Sequence, residues 1–414
     1  MPDVPPVSVV SASSKEDVDH HPAGDVQAPI YLDHHATTPV DPRVAAVIMH
    51  HMTTAFGNAS SRDHAFGEEA DRTVSEARRQ VAALLDASPR SVVFTSGATE
   101  SLNLALQGFV RARRARAGSS AVRLALPPVE HPAVLDVCHY LSGRGDVELI
   151  WLPVDGRGRL DLSAVARACE SGLDLLCIMA ANNEIGNVYP LAEIGQIARE
   201  HGVPFLTDAT QAAGKVEIRV RDWGISMLAL AGHKMYGPKG VGALIVDPDI
   251  HLEPLFRGGG HQRGLRSGTL NVPGIAGLGE ACRLRSEEMG IDEPAIAGRR
   301  NSLQGLLVES VPGLLVNGDL EHRLAGSLHV AIPDVPSSVI IAHVKERVAL
   351  ARGSACASGV DAPSHVLSAI GLPTPAIRGS LRLGLGRSTT DAELQAAAQS
   401  IAEAVARARR KMLG

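Results

Sequence analysis

Beyond residue 90 the chain alternates short, almost wholly apolar runs with longer stretches whose apolar residues recur every three or four positions. The runs 91–95, 121–126, 147–152, 173–180, 203–207, 227–230 and 241–246 read as strands. Between them 100–116, 133–141, 162–171 and 190–201 read as helices, the last closed by Gly202. Upstream, 68–85 puts Ala70, Val74, Ala77, Val81 and Leu84 on one helical face. Strands that are apolar throughout belong in a mainly parallel sheet with helices on both faces, so the pattern predicts an α/β three-layer sandwich. From Gly277 the pattern turns helical, and a change of domain is expected near residue 290. The remainder mixes strands at 324–332 and 380–385 with helices, as in a smaller α+β domain. Its last helix opens with the capping box Thr390-x-x-Glu393 and carries Leu394, Ala398, Ile401 and Val405 on one face. The expected division is a large domain over 41–289 and a small one made of 30–40 and 290–414. Residues 1–29, rich in Pro, Ser, Val and Asp, read as a disordered extension.

Composition narrows the function. Of 414 residues 45% are apolar and 21% charged, as in an ordinary globular chain, and a net charge of −5 gives no support for nucleic-acid binding. No run is long enough to span a membrane. Cys138, Cys169, Cys177, Cys282 and Cys356 are few, odd in number and without C-x-x-C spacing. That argues against a disulfide framework or structural zinc and suits a reducing, cytoplasmic compartment. Paired histidines (His20-His21, His34-His35, His50-His51) have no acidic or thiol companions, so no metal site is expected.

In parallel sheets ligands sit at the carboxyl ends of the strands. Thr99, His131, Asn183, Asp208 and Lys234 each follow a predicted strand. Ser96-Gly-Ala-Thr99 turns a strand into a helix, which makes an anion site, although Thr99 also serves as a plain N-cap. Lys234 follows an apolar run directly, where a permanent ammonium is costly and an imine is not. An acid at the next strand end, Asp208, suits the pyridine nitrogen of pyridoxal phosphate (PLP), whose ring acts as an electron sink. Taken singly, Asp208 also reads as a turn residue and Gly232-His-Lys234 as a surface turn. The glycine-rich basic loop 257–271 cradles an anion or is a long exposed connection. Cys356 lies in Gly353-Ser-Ala-Cys-Ala-Ser-Gly359, among residues too small to bury it, as a nucleophilic thiol or an incidental loop cysteine.

With these residues assembled, the chain resembles the cysteine desulfurases, a branch of the class V aminotransferases within the fold-type I PLP enzymes. The resemblance runs from Tyr31 to about Glu393 through nine segments in family order: YLDHHATTPVDPRV (31–44), FTSGATES (94–101), EHPAVLD (130–136), NNEIG (182–186), DATQAAGK (208–215), GHKMYGPKGVGAL (232–244), GGGHQRGLRSGTLN (258–271), GSACASG (353–359) and SLRLGLGR (380–387). The RSGT segment and the long Cys loop look like the housekeeping group. The resemblance implies that Lys234 carries PLP, with Asp208 on the pyridine nitrogen, Gln211 on the ring hydroxyl and His131 stacked on the ring. It implies that Asn183 contacts cofactor or substrate. Ala98, Thr99 and His233 would hold the phosphate, joined by Thr269 from the partner subunit of a homodimer. Arg382 would grip the carboxylate of L-cysteine, and Cys356 would take the sulfur as a persulfide for an acceptor or scaffold protein, releasing alanine.

The chain departs from the family pattern in four places. Ala231 stands where serine usually donates to the phosphate, and Arg352 where a small polar residue precedes the Cys motif. Ala59 replaces a common proline and Leu102 an Asp or Asn. Selenocysteine lyase or C–S lyase chemistry on the same scaffold is the alternative. A non-catalytic scaffold protein fits poorly with the retention of Lys234, Asp208, His131 and Cys356.

Overall fold

Chemically similar apolar runs become neighbours in one seven-stranded sheet. Its order is Val92–Thr95, Gly242–Val246, Met227–Ala231, Phe205–Asp208, Leu175–Cys177, Val122–Leu126, Val147–Trp151. The computed structural model describes residues 29–117, 120–353 and 363–413, so Cys356 and all but the last residue of the N-terminal extension lie outside the described residues. Every strand pair is parallel except those made by Gly242–Val246, which is antiparallel to both its neighbours. The cause is local. Residues 232–241 form a tight turn with a short 3-10 segment, Gly232–Lys234, and a short connection returns the chain antiparallel. Two reversals leave Val92–Thr95 running the same way as Met227–Ala231, so their carboxyl ends share one edge of the sheet.

Alternate residues of each strand face opposite layers. Val92, Phe94, Ala125, Leu176, Phe205, Leu228 and Ile245 join a core closed by Ala65–Leu84, Leu162–Glu170, Leu191–Glu200 and the first half of Val272–Ser310. Val93, Leu124, Leu175, Leu206, Met227, Ala229 and Leu244 join a second core, under Ala98–Ala117 and Pro132–Gly143. This is the three-layer sandwich. The run 173–180 forms ladder only over Leu175–Cys177. Beyond it, Ile178 and Ala180 still donate to Leu206 and Asp208, but the Met179 amide is taken by Glu130 Oε1 at 2.6 Å in place of a strand.

A four-stranded antiparallel sheet, in the order Ala351–Arg352, Ser380–Gly384, Ser327–Ala331, Leu315–Val316, carries the third core. Leu324 and Ser327 close a turn with Gly186, so this strand starts later than the predicted 324. Ile30–Tyr31 pairs with Val348–Ala349 and Leu32 is buried in this core. The predicted change near residue 290 falls inside one 39-residue helix, Val272–Ser310, which carries Pro294. Leu278 and Leu284 serve the first core; Ile296, Leu303 and Leu307 serve the third. No helix among the described residues is long and apolar enough to cross a membrane.

Loop 257–271 is docked against the sheet. The Gln262 side chain accepts from the Phe94 amide and donates to the Phe94 carbonyl, both at 2.7 Å, as a peptide of an eighth strand would. Arg266 then pairs with Glu100 at 2.8 Å. Gln262→Ala removes both edge bonds, an expected loss of about 1–3 kcal/mol. Hydrogen exchange at the Phe94 amide should accelerate accordingly; unchanged protection there would show that the edge does not depend on Gln262.

Candidate active site

The shared carboxyl edge of the sheet opens into a cavity of about 640 Å³. Ala98, Thr99, His131, Asn183, Asp208, Gln211, Ala231, His233 and Lys234 all line it, with Ala36 and Thr37. Residues far apart in sequence meet here because each follows a strand that ends on the same side. Gly242 allows the close fit: a Cβ there would stand 2.8 Å from Gly97 Cα, so the anion-binding turn and the lysine turn pack backbone to backbone.

Lys234 donates to the carbonyl oxygens of His35 and, at 3.0 Å, Ala36. Burial, then the charges of Lys215 and Arg382, bring its amine down to about 7. His233 is pushed down to about 4 by burial and by Lys234 and Lys239. His131 caps Pro132–Gly143, and its Nδ1 accepts from the Ala133 amide at 3.1 Å. An accepting Nδ1 puts the ring proton on Nε2, and burial keeps the ring neutral. Asp208 Oδ1 accepts from the Thr210 amide at 2.9 Å and from its hydroxyl. Asp208 Oδ2 takes no donor among the described residues. Gln211 is tied up with His35: its Nε2 donates to the His35 carbonyl at 2.9 Å and its Oε1 faces His35 Nδ1 at 3.2 Å. At the far end Gly97, with φ 153°, opens the turn into Ala98–Ala117, whose first amide groups lack helical partners.

Arg382 lies on Ser380–Gly384, buried, and donates to the Asn183 carbonyl at 3.0 Å and to Asp33 Oδ1 at 2.9 Å. Its Nε is buried without a partner among the described residues. Thr269 is exposed on its loop and does not line this cavity. Cys356 falls outside the described residues, but both flanks of its segment are tied to the site. The Gly353 amide donates to Ser380 O at 2.9 Å. Ser364 donates to Glu184 at 2.5 Å, and His365 Nε2 to the Glu130 carbonyl at 2.8 Å. Glu184 and Glu130 adjoin Asn183 and His131. The other four cysteines are buried, and burial pushes Cys138 and Cys282 up to about 12 and Cys169 to about 11, which leaves them inert. Sequence reasoning missed the His35 and Ala36 carbonyls, Glu130, Glu184 and Lys215. All five lie inside recognised motifs, yet no spacing rule marks them.

The arrangement matches known proteins along nearly its whole length. Residues 30–397 fit the family model for aminotransferase class-V. The chain is 44% identical over 386 residues to the cysteine desulfurase IscS of Anaeromyxobacter dehalogenans (strain 2CP-C), covering 93% of this chain and 94% of that one. A solved NifS-like protein superposes with a TM-score of 0.83 at 31% identity, covering 91% of this chain and 99% of that one. SspA, solved in complex with cysteine, superposes with a TM-score of 0.76 at 33% identity, over 87% of this chain and 100% of that one.

His329, opposite Arg382 in the small sheet, is buried and held down to about 3 by burial and by the Arg382 charge. Its folded value lies below its unfolded one, so the unfolded chain binds the proton first. Its contribution is complete above about pH 6.5 and is lost as pH falls toward 3. Wild type should therefore lose roughly 2 kcal/mol more than His329→Asn between pH 6.5 and 5. Denaturant midpoints at both pH values measure this, and equal losses would remove His329 from the acid response.

Proposed function

The chain belongs to the class V aminotransferase family, in its cysteine desulfurase branch, and on that premise we propose how its residues take sulfur from L-cysteine. The observation that carries the assignment is Lys234, a strand-end amine brought close to neutrality in the same cavity as an Asp208 with one uncommitted carboxylate oxygen. These groups fit PLP, the cofactor of this family. When bound, it supplies an electron sink that weakens the bonds around the amino acid's Cα. Lys234 would hold it and carry protons to and from Cα, and Asp208 would pair with the pyridine nitrogen. The N-terminus of Ala98–Ala117 with Thr99 and His233 would take the phosphate, and His131 would stack on the ring. Gln211, whose amide is shared with His35, has one Nε2 hydrogen left for the ring hydroxyl.

Arg382 receives the carboxylate of L-cysteine beside Asn183, a task suited to a planar fork already oriented by Asp33. Cys356 attacks the substrate sulfur as thiolate. The new S–S bond forms as the S–Cβ bond breaks, its electron pair stays on Cβ with a proton, and alanine leaves. The persulfide then passes to an acceptor protein, in the reducing cytoplasm that the cysteine usage suits. Thr269, exposed on a docked loop away from its own cavity, supports a homodimer in which Thr269 of the partner subunit completes the phosphate site. On this reading a small domain, 30–40 with 290–414, carries Arg382 and the Cys356 motif, and a large domain, 41–289, carries the cofactor residues.

With L-cysteine and a reductant, the protein should release alanine and sulfide and show a chromophore that borohydride abolishes. Cys356→Ser should keep the chromophore and lose the persulfide and turnover. A Cys356→Ser chain that released both products at full rate would favour C–S lyase chemistry.

Ala231 is buried at the cavity and offers no donor where a serine hydroxyl would reach the phosphate. One such charge-assisted bond is worth about 1.5–3 kcal/mol. Ala231→Ser should therefore slow loss of PLP on dialysis about ten-fold or more; equal or faster loss would mean that the site already compensates.

A further inference from the structure

A second lysine lies beside the cavity and has no part in the chemistry described so far. Lys215 closes the segment 208–215 and donates from Nζ to Gln211 Oε1 at 3.3 Å. Gln211 donates from Nε2 to the His35 carbonyl at 2.9 Å, and the same oxygen accepts from Lys234 Nζ. The two lysines are thus joined through one side-chain amide and one peptide carbonyl. Lys215 makes no ion pair among the described residues, so its charge is not cancelled at contact range.

We propose that Lys215 is a positioning residue for Lys234: through Gln211 and the His35 carbonyl it fixes the amine in place, and its positive charge opposes protonation of that amine. The inference rests on Lys234 being the cofactor lysine. Charges reach Lys234 from several elements. Lys215 and Arg382 oppose its protonation, and Asp208 and Asp33 favour it. His35 and His233, packed against it, are both held neutral by burial. Lys215 itself faces Glu293 and Arg285 of the long helix, and its own value of about 8 leaves it mostly charged at neutral pH. Lys215 is the largest charge effect on Lys234 after burial itself. A free lysine amine is almost wholly protonated at pH 7, whereas one near 7 is about half reactive.

The alternative is that Lys215 only holds Gln211 in place. Two substitutions separate the roles, since Lys215→Gln keeps a donor without charge and Lys215→Arg keeps the charge. The full-length chain, freed of cofactor, is offered pyridoxal 5'-phosphate from roughly pH 6 to 10, and the rise of imine absorbance is timed. For Lys215→Gln the rate midpoint should move about one pH unit alkaline, about fivefold slower at pH 7, with an unchanged plateau above it. Lys215→Arg should restore the wild-type profile. A Lys215→Gln chain with the wild-type midpoint would overturn the proposal. So would a Lys215→Gln rate lowered equally at every pH, plateau included, which marks a packing defect and needs no second variant to interpret. Borohydride fixing the label on a lysine other than Lys234 would instead overturn the cofactor assignment on which the proposal rests.

Discussion

The architecture of the site depends on how a lysine is held at the end of an apolar strand. An ammonium there loses hydration and must be offset by acceptors or by losing its proton. The protein does both, with the His35 and Ala36 carbonyls and with the positive charges of Lys215 and Arg382. None of these groups belongs to the strand that delivers Lys234. The environment of the Lys234 amine is therefore a property of several elements meeting.

Segment 30–41 is the part that brings them together. At its start Ile30–Tyr31 pairs with Val348–Ala349, and Asp33 bridges to Gly384 of the four-stranded sheet. Its end is stitched to the lysine turn: Thr38 donates to the His233 carbonyl, the Tyr236 amide to Thr38, and the Asp41 amide to the Tyr236 carbonyl. Tyr236 is held at φ 64°, a conformation uncommon for a bulky residue, with the Arg387 guanidinium stacked 4.1 Å from its ring. Arg387 also reaches Asp41 and Glu288. One short segment thus couples the sheet that carries Arg382 to the turn that carries Lys234.

The same coupling appears around Arg382. Arg382 belongs to the small sheet but is oriented by Asp33 and by the carbonyl of Asn183, a residue of the large sheet's edge. Glu184 and Glu130, buried next to Asn183 and His131, anchor Ser364 and His365 on the far flank of the Cys356 segment. The buried acids are used as acceptors that hold backbone and loop ends in place, and burial raises both toward the neutral form.

The sequence by itself determined the sheet, because continuous apolar runs of four to eight residues can be buried only between two helical layers. It also determined the cavity residues, because Thr99, His131, Asn183, Asp208 and Lys234 follow strands that all end on one edge. The docking of loop 257–271 through Gln262 was decided by tertiary structure, whereas the antiparallel return of Gly242–Val246 follows from the short connection before it. Neither hydrophobic period nor turn chemistry says which strand a loop amide will pair with. The handover from the first core to the third was likewise hidden, since a helix that serves two cores in succession shows no break in its pattern. Above all, the partners of Lys234 were invisible in the sequence. Carbonyl oxygens look alike at every position, and whether Lys215 lies beside Lys234 depends on a register set by packing nearly twenty residues away along the chain.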